Sequence, residues 1–267
     1  YRAWLNKVCQ SLPVDEIALV DEPTAAAMGA GLLPGSKLLV IDIGGSTIDL
    51  SLVSLEGGEG RAEPIAQLLR FNGQDLEGKS TQILRCAKVL GKAGIQIGGR
   101  DIDRWIADYL YPEALITEKV LNASERLKCR LSQDDLKENE VLIENIDLNQ
   151  SQKGQELKLS RFELEALLIK QGLLSILKEL LEQTLARGRA NGCHLEDLNG
   201  VVIVGGGARI PLIKRWLNAQ IKPVPLLTPP PIEAVAVGAL RLTPNVKIRD
   251  VIKVGVSLRC WDQPTAR

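Results

Sequence analysis

Val40-Ile41-Asp42-Ile43-Gly44-Gly45-Ser46-Thr47-Ile48-Asp49 decides the fold. An apolar strand runs into a carboxylate, two glycines and two hydroxyls. A second strand follows, in which Ile48, Leu50 and Leu52 alternate with Asp49, Ser51 and Val53. This period-two pattern around a glycine tip predicts a hairpin from Lys37 to Leu55. Bare glycine N–H groups let an anion approach closely, and a carboxylate beside them suits a metal-bound phosphate. In that chemistry the amides and the Thr47 hydroxyl bind phosphate oxygens, while Asp42 holds Mg²⁺ or its water. A plain polar-tipped turn explains the stretch equally well, so both readings stay open on these residues alone.

A second strand-to-glycine turn occurs at Val201-Val202-Ile203-Val204-Gly205-Gly206-Gly207-Ala208-Arg209-Ile210-Pro211. Its glycines allow close approach of backbone to a ligand, and Arg209 can lay a flat guanidinium against a base or a phosphate. Alone it reads as a tight connection before a helix; two such turns suggest a two-walled cleft. Glu125, Lys128 and Ser132 lie at i, i+3 and i+7 and share a helix face. They can hold a ribose and a base edge, although periodicity alone favours a solvated face.

Working outward, residues 1–12 read as the end of an amphipathic helix and Glu16–Val20 as a short buried strand. Pro23 and Thr24 open an alanine-rich helix over Ala25–Gly31, since proline is tolerated in a first turn. Residues 56–80, rich in Gly, Glu and Lys, read as a surface insertion, and Thr81–Lys92 as a helix. Gly98-Gly99-Arg100-Asp101 precedes a helix through Ile102, Ile106 and Leu110, and another spans 118–131. Segments 140–148 and 156–159 read as hairpin strands. Ser160 with Glu163 three places on has capping-box spacing and predicts one long helix over 160–190. After the strand Val201–Val204 come a helix over Ile213–Leu217, a break at Pro229-Pro230-Pro231 and a small-residue helix over Glu233–Leu240. Strands alternating with helices give an α/β class.

Composition narrows the function. Among 267 residues, 33 Lys+Arg balance 33 Asp+Glu, with 45% hydrophobic and 25% charged residues, the make-up of a globular protein. Zero net charge and no dense basic block argue against nucleic acid as a partner. Cys9, Cys86, Cys129, Cys193 and Cys260 are odd in number and form no CxxC pair, which argues against a disulfide framework or zinc site and for a reducing, cytosolic setting. No run approaches the ~20 apolar residues of a membrane span, and the first residues form no signal peptide. The chain begins at Tyr1 and ends at Arg267 shortly after a strand expected over 253–258, so it reads as a fragment of a longer protein. Gly73-Gln74-Asp75-Leu76-Glu77-Gly78-Lys79-Ser80 matches the P-loop pattern literally. Against it, Asp75 and Glu77 would place carboxylates in a phosphate cradle, and no later strand supplies the second metal ligand. His194, the single histidine, has no local nucleophile signature and reads as a surface residue.

Taken in order, Asp21-Glu22-Pro23-Thr24-Ala25-Ala26-Ala27, the Asp42–Asp49 stretch, Gly98-Gly99-Arg100-Asp101-Ile102-Asp103, Glu125-Arg126-Leu127-Lys128, Gly205–Pro211 and Glu233–Ala239 resemble the ATPase domain of the seventy-kilodalton heat-shock chaperones of the DnaK type. The resemblance implies an actin-like (ribonuclease H-like) fold, partial here, with an α+β nucleotide-clasping subdomain. It also implies a cytoplasmic stress-response chaperone that binds Mg²⁺ with ATP or ADP and hydrolyses ATP to drive unfolded polypeptide clients on and off. A J-domain co-chaperone and a nucleotide exchange factor are implied as partners, with no nucleic acid and no membrane. Residues 1–31 and 232–246 would be a remnant of a first lobe. Residues 32–97 and 164–231 would form the core of a second lobe with its insertion at 56–92, and 98–163 its helical and hairpin subdomain. Residues 247–267 would be an interdomain linker and the start of a peptide-binding domain.

Carried over motif by motif, Asp42 would orient the metal-bound or attacking water, Glu22 would support the metal shell and Thr47 would contact the γ-phosphate. Gly44, Gly45 and Ser46 would be the second phosphate loop, and Gly99 would belong to the cofactor-binding residues. Glu125, Lys128 and Ser132 would clasp the adenosine, with Gly205, Gly206, Gly207 and Arg209 opposite. Pro23 and Arg2 resemble residues of an interdomain relay. Three departures bear on affinity. The family's first phosphate loop and catalytic lysine belong ahead of Glu22-Pro23-Thr24. Cys129 stands where many relatives stack an arginine on the adenine. Pro230, Ile232, Gly207 and Ala208 replace polar residues. These departures keep two other readings in view: a non-catalytic nucleotide-sensing scaffold, and a sugar kinase or filament protein of the same fold.

Overall fold

The structure is a computed structural model and describes residues 4, 8, 16–20, 22–33, 35–56, 66–70, 86–111, 116–137, 139–146 and 155–242. The readings placed on residues 73–80, on 247–267 and on Arg2, and most of the helix expected over 1–12, lie outside the described residues. The strands are β1 (Glu16–Val20), β2 (Lys37–Ile43), β3 (Ile48–Glu56), β4 (Ala66–Arg70), β5 (Cys86–Ile95), β6 (Val141–Ile146), β7 (Gln155–Ser160), β8 (Gly200–Val204) and β9 (Leu226–Leu227). The helices are α1 (Glu22–Gly29), α2 (Gly99–Leu110), α3 (Glu118–Leu131), α4 (Arg161–Lys170), α5 (Leu173–Ala190), α6 (Pro211–Gln220) and α7 (Ala234–Leu242).

A mixed sheet in the order β5-β3-β2-β8-β9 forms the centre. The hairpin β2–β3 pairs antiparallel as expected, whereas β2 and β8 run parallel. Alternation sorts the side chains of β2 onto two faces. Leu39, Ile41 and Ile43 join Ile48, Leu50 and Leu52 of β3 in the larger core, beneath α2 to α6. Leu38 and Val40, with Val53, Leu55, Val202 and Val204, pack on the other face against Ala25, Ala26 and Ala27 of α1 and Ala234 of α7. Burial on both faces explains the nearly unbroken apolar runs of β2 and β8. It also puts Asp42 and Asp49, which pair directly across the hairpin, on the α1 face.

Two expectations are corrected. Residues 86–92 are not helical, because Cys86–Ile95 is an edge strand on β3, with a bulge opposite Leu52 and Val53. The sheet therefore resumes at Cys86, inside the span expected to be insertion. The single helix over 160–190 is two helices, broken where Gly172 takes the left-handed conformation at φ 77°. Smaller shifts also occur: α1 begins at Glu22 rather than Ala25, and β4, within the stretch expected to be a surface insertion, pairs antiparallel with β1.

The capping box at the start of α4 is present. Ser160 N donates to Glu163 Oε2 at 2.8 Å, and Glu163 N donates to Ser160 Oγ at 3.2 Å. Ser160→Ala is expected to destabilise the protein by about 1 kcal/mol, read as a lower midpoint in urea with an unchanged slope. An unchanged midpoint would show the cap to be redundant. Among the described residues, no helix is long and apolar enough to cross a membrane.

Candidate functional site

The parallel register of β2 and β8 builds the site. Ile41 lies beside Ile203 and Asp42 beside Val204, so Gly44-Gly45 and Gly205-Gly206 leave the sheet at the same end of adjacent strands. Ligands of open α/β sheets bind beyond the carboxyl ends of such strands. The two turns nearly touch. A Cβ on Gly205 would fall 2.4 Å from Ile43 O and 2.5 Å from Asp42 Oδ1, and its φ is +84°. Only glycine suits both that space and that backbone.

Asp42 stands where acids meet. It is half-buried at the end of β2, and burial, followed by the charges of Glu22 and Asp49 and a hydrogen bond with the Glu22 side chain, pushes its carboxyl up to about 6. Glu22 comes from the first turn of α1, and Asp49 from directly across the hairpin. Among the described residues, no three His, Cys, Asp or Glu side chains converge closely enough to cage a metal. That does not exclude Mg²⁺, which keeps several waters and takes one or two carboxylates together with substrate phosphates. A carboxylate that burial and neighbouring acids make costly to ionise, as Asp42 is, is a donor that a divalent cation relieves, so the residues present fit Mg²⁺.

The first turn is clamped from behind. Gly44 N donates to Thr47 O at 2.9 Å, closing the hairpin, while Gly99 N and Arg100 N at the start of α2 donate to Gly44 O and Gly45 O at 2.9 and 2.8 Å. Gly45, Ser46 and Thr47 are exposed. Gly99, expected among the cofactor-binding residues, is buried, and its N–H holds the turn. Beneath it Lys128 Nζ forms an ion pair with Asp103 Oδ1 at 2.7 Å and donates to Gly99 O at 3.0 Å. Burial pushes the Asp103 carboxyl up, while Lys128 pulls it back.

A cavity of about 420 Å³ opens beside the second turn, between the end of α3, the β8 turn and the proline segment; Cys129, Ser132, Arg209, Lys214, Thr228 and Pro231 are among its lining residues. That volume lies in the range of small-molecule sites. Gly205 N donates to Pro231 O at 3.1 Å, so the proline segment is stitched to the turn. Of the residues expected to clasp a nucleoside, Ser132 and Arg209 meet here from opposite elements. Ser132 Oγ donates to Lys128 O at 2.8 Å, which leaves its lone pairs to accept. Glu125 is exposed on α3 and Lys128 is paired with Asp103, so neither lines the cavity. Sequence reasoning missed Gln133, Asp134, Lys214, Thr228, Pro229 and Pro231. The proline triplet was a signal of a break, with nothing to say that it faces a cavity.

The family model described as Hsp70 protein matches residues 13–256. Among curated relatives, the chaperone protein DnaK of Nitrosopumilus maritimus strain SCM1 is 27% identical over 243 residues, covering 85% of this chain and 33% of that protein. The chaperone protein HscA of Proteus mirabilis strain HI4320 is 26% identical over 236 residues, covering 84% of this chain and 31% of that protein. The chain thus spans about a third of the length of these relatives. With the matched residues running through both glycine turns and the helix between them, the chain belongs to the Hsp70 protein family.

Proposed function

We propose that this chain is an ATP- and ADP-binding part of a cytoplasmic chaperone of the Hsp70 family, in which nucleotide state is coupled to the binding of unfolded polypeptide. The observation that carries the reading is the pairing of Asp42 with Val204, which brings two glycine turns, two acids and a nucleoside-sized cavity to one end of the sheet. Asp42, supported by Glu22, would hold Mg²⁺, which neutralises phosphate charge and polarises the phosphoryl group when bound. Gly45, Ser46 and Thr47 are exposed residues whose N–H and hydroxyl groups would donate to phosphate oxygens. Ser132 accepts from the nucleoside, and the Arg209 guanidinium covers it from the β8 side. Residues 1–31 and 232–246, 32–97 with 164–231, and 98–163 are assigned to the first lobe, the second lobe and its subdomain. By family, unfolded clients, a J-domain co-chaperone and an exchange factor are its partners.

Calorimetric titration of Mg-ADP into the full-length protein tests this. Binding at micromolar concentration or tighter is expected, about −8 kcal/mol or better. Heat indistinguishable from dilution would reject the reading. A non-catalytic nucleotide sensor is the second reading, favoured by the thiol of Cys129 in place of a flat cationic wall. Phosphate release from ATP separates the two, because a sensor binds Mg-ADP and releases none.

A further inference from the structure

We infer that Arg161 is a positioning residue for the nucleoside: its buried guanidinium, at the first position of α4, fixes the end of α3 and with it the cavity wall of Ser132, Gln133 and Asp134. The inference rests on the nucleotide-binding reading of that cavity.

Arg161 is 9% exposed. Its Nε donates to Leu131 O at 2.8 Å and its Nη1 to Leu136 O at 2.8 Å, while Nη2 donates to Gln133 O. These carbonyls belong to the last turn of α3 and the bend after it, where a helix leaves its final C=O groups without intrahelical partners. One planar fork therefore gathers the carbonyl of cavity-lining Gln133 and those of Leu131 and Leu136, which flank the cavity-lining residues in sequence. Among the described residues Arg161 makes no ion pair, so its charge strengthens those bonds alone. Its own place is set by the capping box of Ser160 and Glu163. One turn further along α4, buried Glu165 binds Arg215 Nη2 on α6, and Lys214 beside Arg215 lines the cavity. The first two turns of α4 thus reach the α3 wall through Arg161 and the α6 wall through Glu165.

A residue that merely holds the fold together would, when lost, weaken every ligand alike. A residue that sets the nucleoside wall weakens chiefly ligands that carry a nucleoside, because the main-chain bonds onto the phosphate turn at Gly44 to Thr47 come from the start of α2, whereas Arg161 donates to carbonyls of residues 131 to 136. The test is titration of adenosine, Mg-ADP and magnesium pyrophosphate into full-length protein, wild type against Arg161→Met and Arg161→Lys. In Arg161→Met, adenosine and Mg-ADP are expected to bind about tenfold more weakly, with pyrophosphate within about twofold of wild type. Arg161→Lys keeps the charge but loses the fork, and falls between. Unchanged adenosine binding, or equal loss of adenosine and pyrophosphate, overturns the inference and leaves the nucleotide-binding reading standing. Wild-type protein that binds none of the three overturns both. Should Arg161→Met fail to fold, Ser160→Ala, which loosens the seat of Arg161, is expected to show the same selective loss at about threefold. Adenosine affinity unchanged in that variant counts against the inference in the same way.

Discussion

Asp42→Asn is expected to weaken Mg-ADP at least about a hundredfold while raising the stability of the nucleotide-free protein. The two effects share one origin. Asp42 is half-buried next to Glu22 and across from Asp49, which with burial pushes its carboxyl from 3.8 up to about 6. Because that value lies above the ordinary one, the folded protein holds this proton more tightly than the unfolded chain does. Its contribution favours folding below pH 4 and is lost as pH rises through 6. At pH 8 the ionised carboxylate opposes folding by on the order of 1 kcal/mol, allowing for solvent screening of a half-exposed group. Asparagine has a similar shape and no charge, so it removes that opposition together with the proposed magnesium ligand. Thermal melts in chelator are expected to show the variant more stable than wild type at pH 8, with the gain fading towards pH 5. In wild type the same proton competes with the cation, so Mg-ADP affinity is expected to rise about tenfold between pH 5 and pH 7 and then level off. A variant that melts lower at pH 8, or keeps its Mg-ADP, would mean that Asp42 is a structural residue.

The elements legible in the sequence were those whose pattern has a local cause. The β2–β3 hairpin shows because its apolar residues alternate around a glycine tip, and the start of α4 shows because Ser160 and Glu163 satisfy each other's backbone. The strand β5 was hidden because Ala87, Lys88, Leu90 and Lys92 are good helix formers, and only pairing with β3 makes them a strand. The glycines within it were the unread sign. A Cβ on Gly91 would fall 2.5 Å from Thr184 O of α5, so the residue is small where a helix crosses the sheet. The division of α4 from α5 carried the ordinary signal of a glycine after a helix, masked by an apolar period that continues through it. At the site, Asp42 and the two glycine turns were legible because strand ends and glycines are local features. Most of the cavity was not, since Gln133, Lys214 and Thr228 come together only through the packing of α3, α6 and the segment after β9. The partner of Lys128 was hidden for the same reason. Its helical spacing alone suggested a solvated face, and the ion pair it makes is with buried Asp103, 25 residues earlier.

Gly238→Ala is expected to destabilise the protein by about 3 kcal/mol or more, roughly 10 °C in melting temperature, although alanine is the better helix former by about 1 kcal/mol. Contact between α1 and α7 reverses the sign. An added Cβ on Gly238 would lie 1.6 Å from Ala25 O, and one on Gly29 would lie 1.9 Å from Ala234 O. Each helix therefore presents a glycine to the backbone of the other, and a single methyl forces the axes apart. Backbone atoms cannot swing aside as a flexible side chain can, so the strain must be taken up by moving a helix. That movement bears on function, because α1 carries Glu22 in its first turn, beside Asp42. Separating the pair draws Glu22 away, so the Asp42 carboxyl is expected to titrate closer to its ordinary range and the Mg-ADP affinity to fall. Gly45→Ala provides the contrast within the same fold. Nothing lies within 4 Å of a Cβ at Gly45, and its melting temperature is expected to stay within about 2 °C of wild type. Equal melting temperatures for the Gly238 and Gly45 variants would show that α1 and α7 do not touch as closely as described. A lower value for Gly238→Ala alone, with weaker Mg-ADP, ties the helix pair on one face of the sheet to the carboxylates at its end.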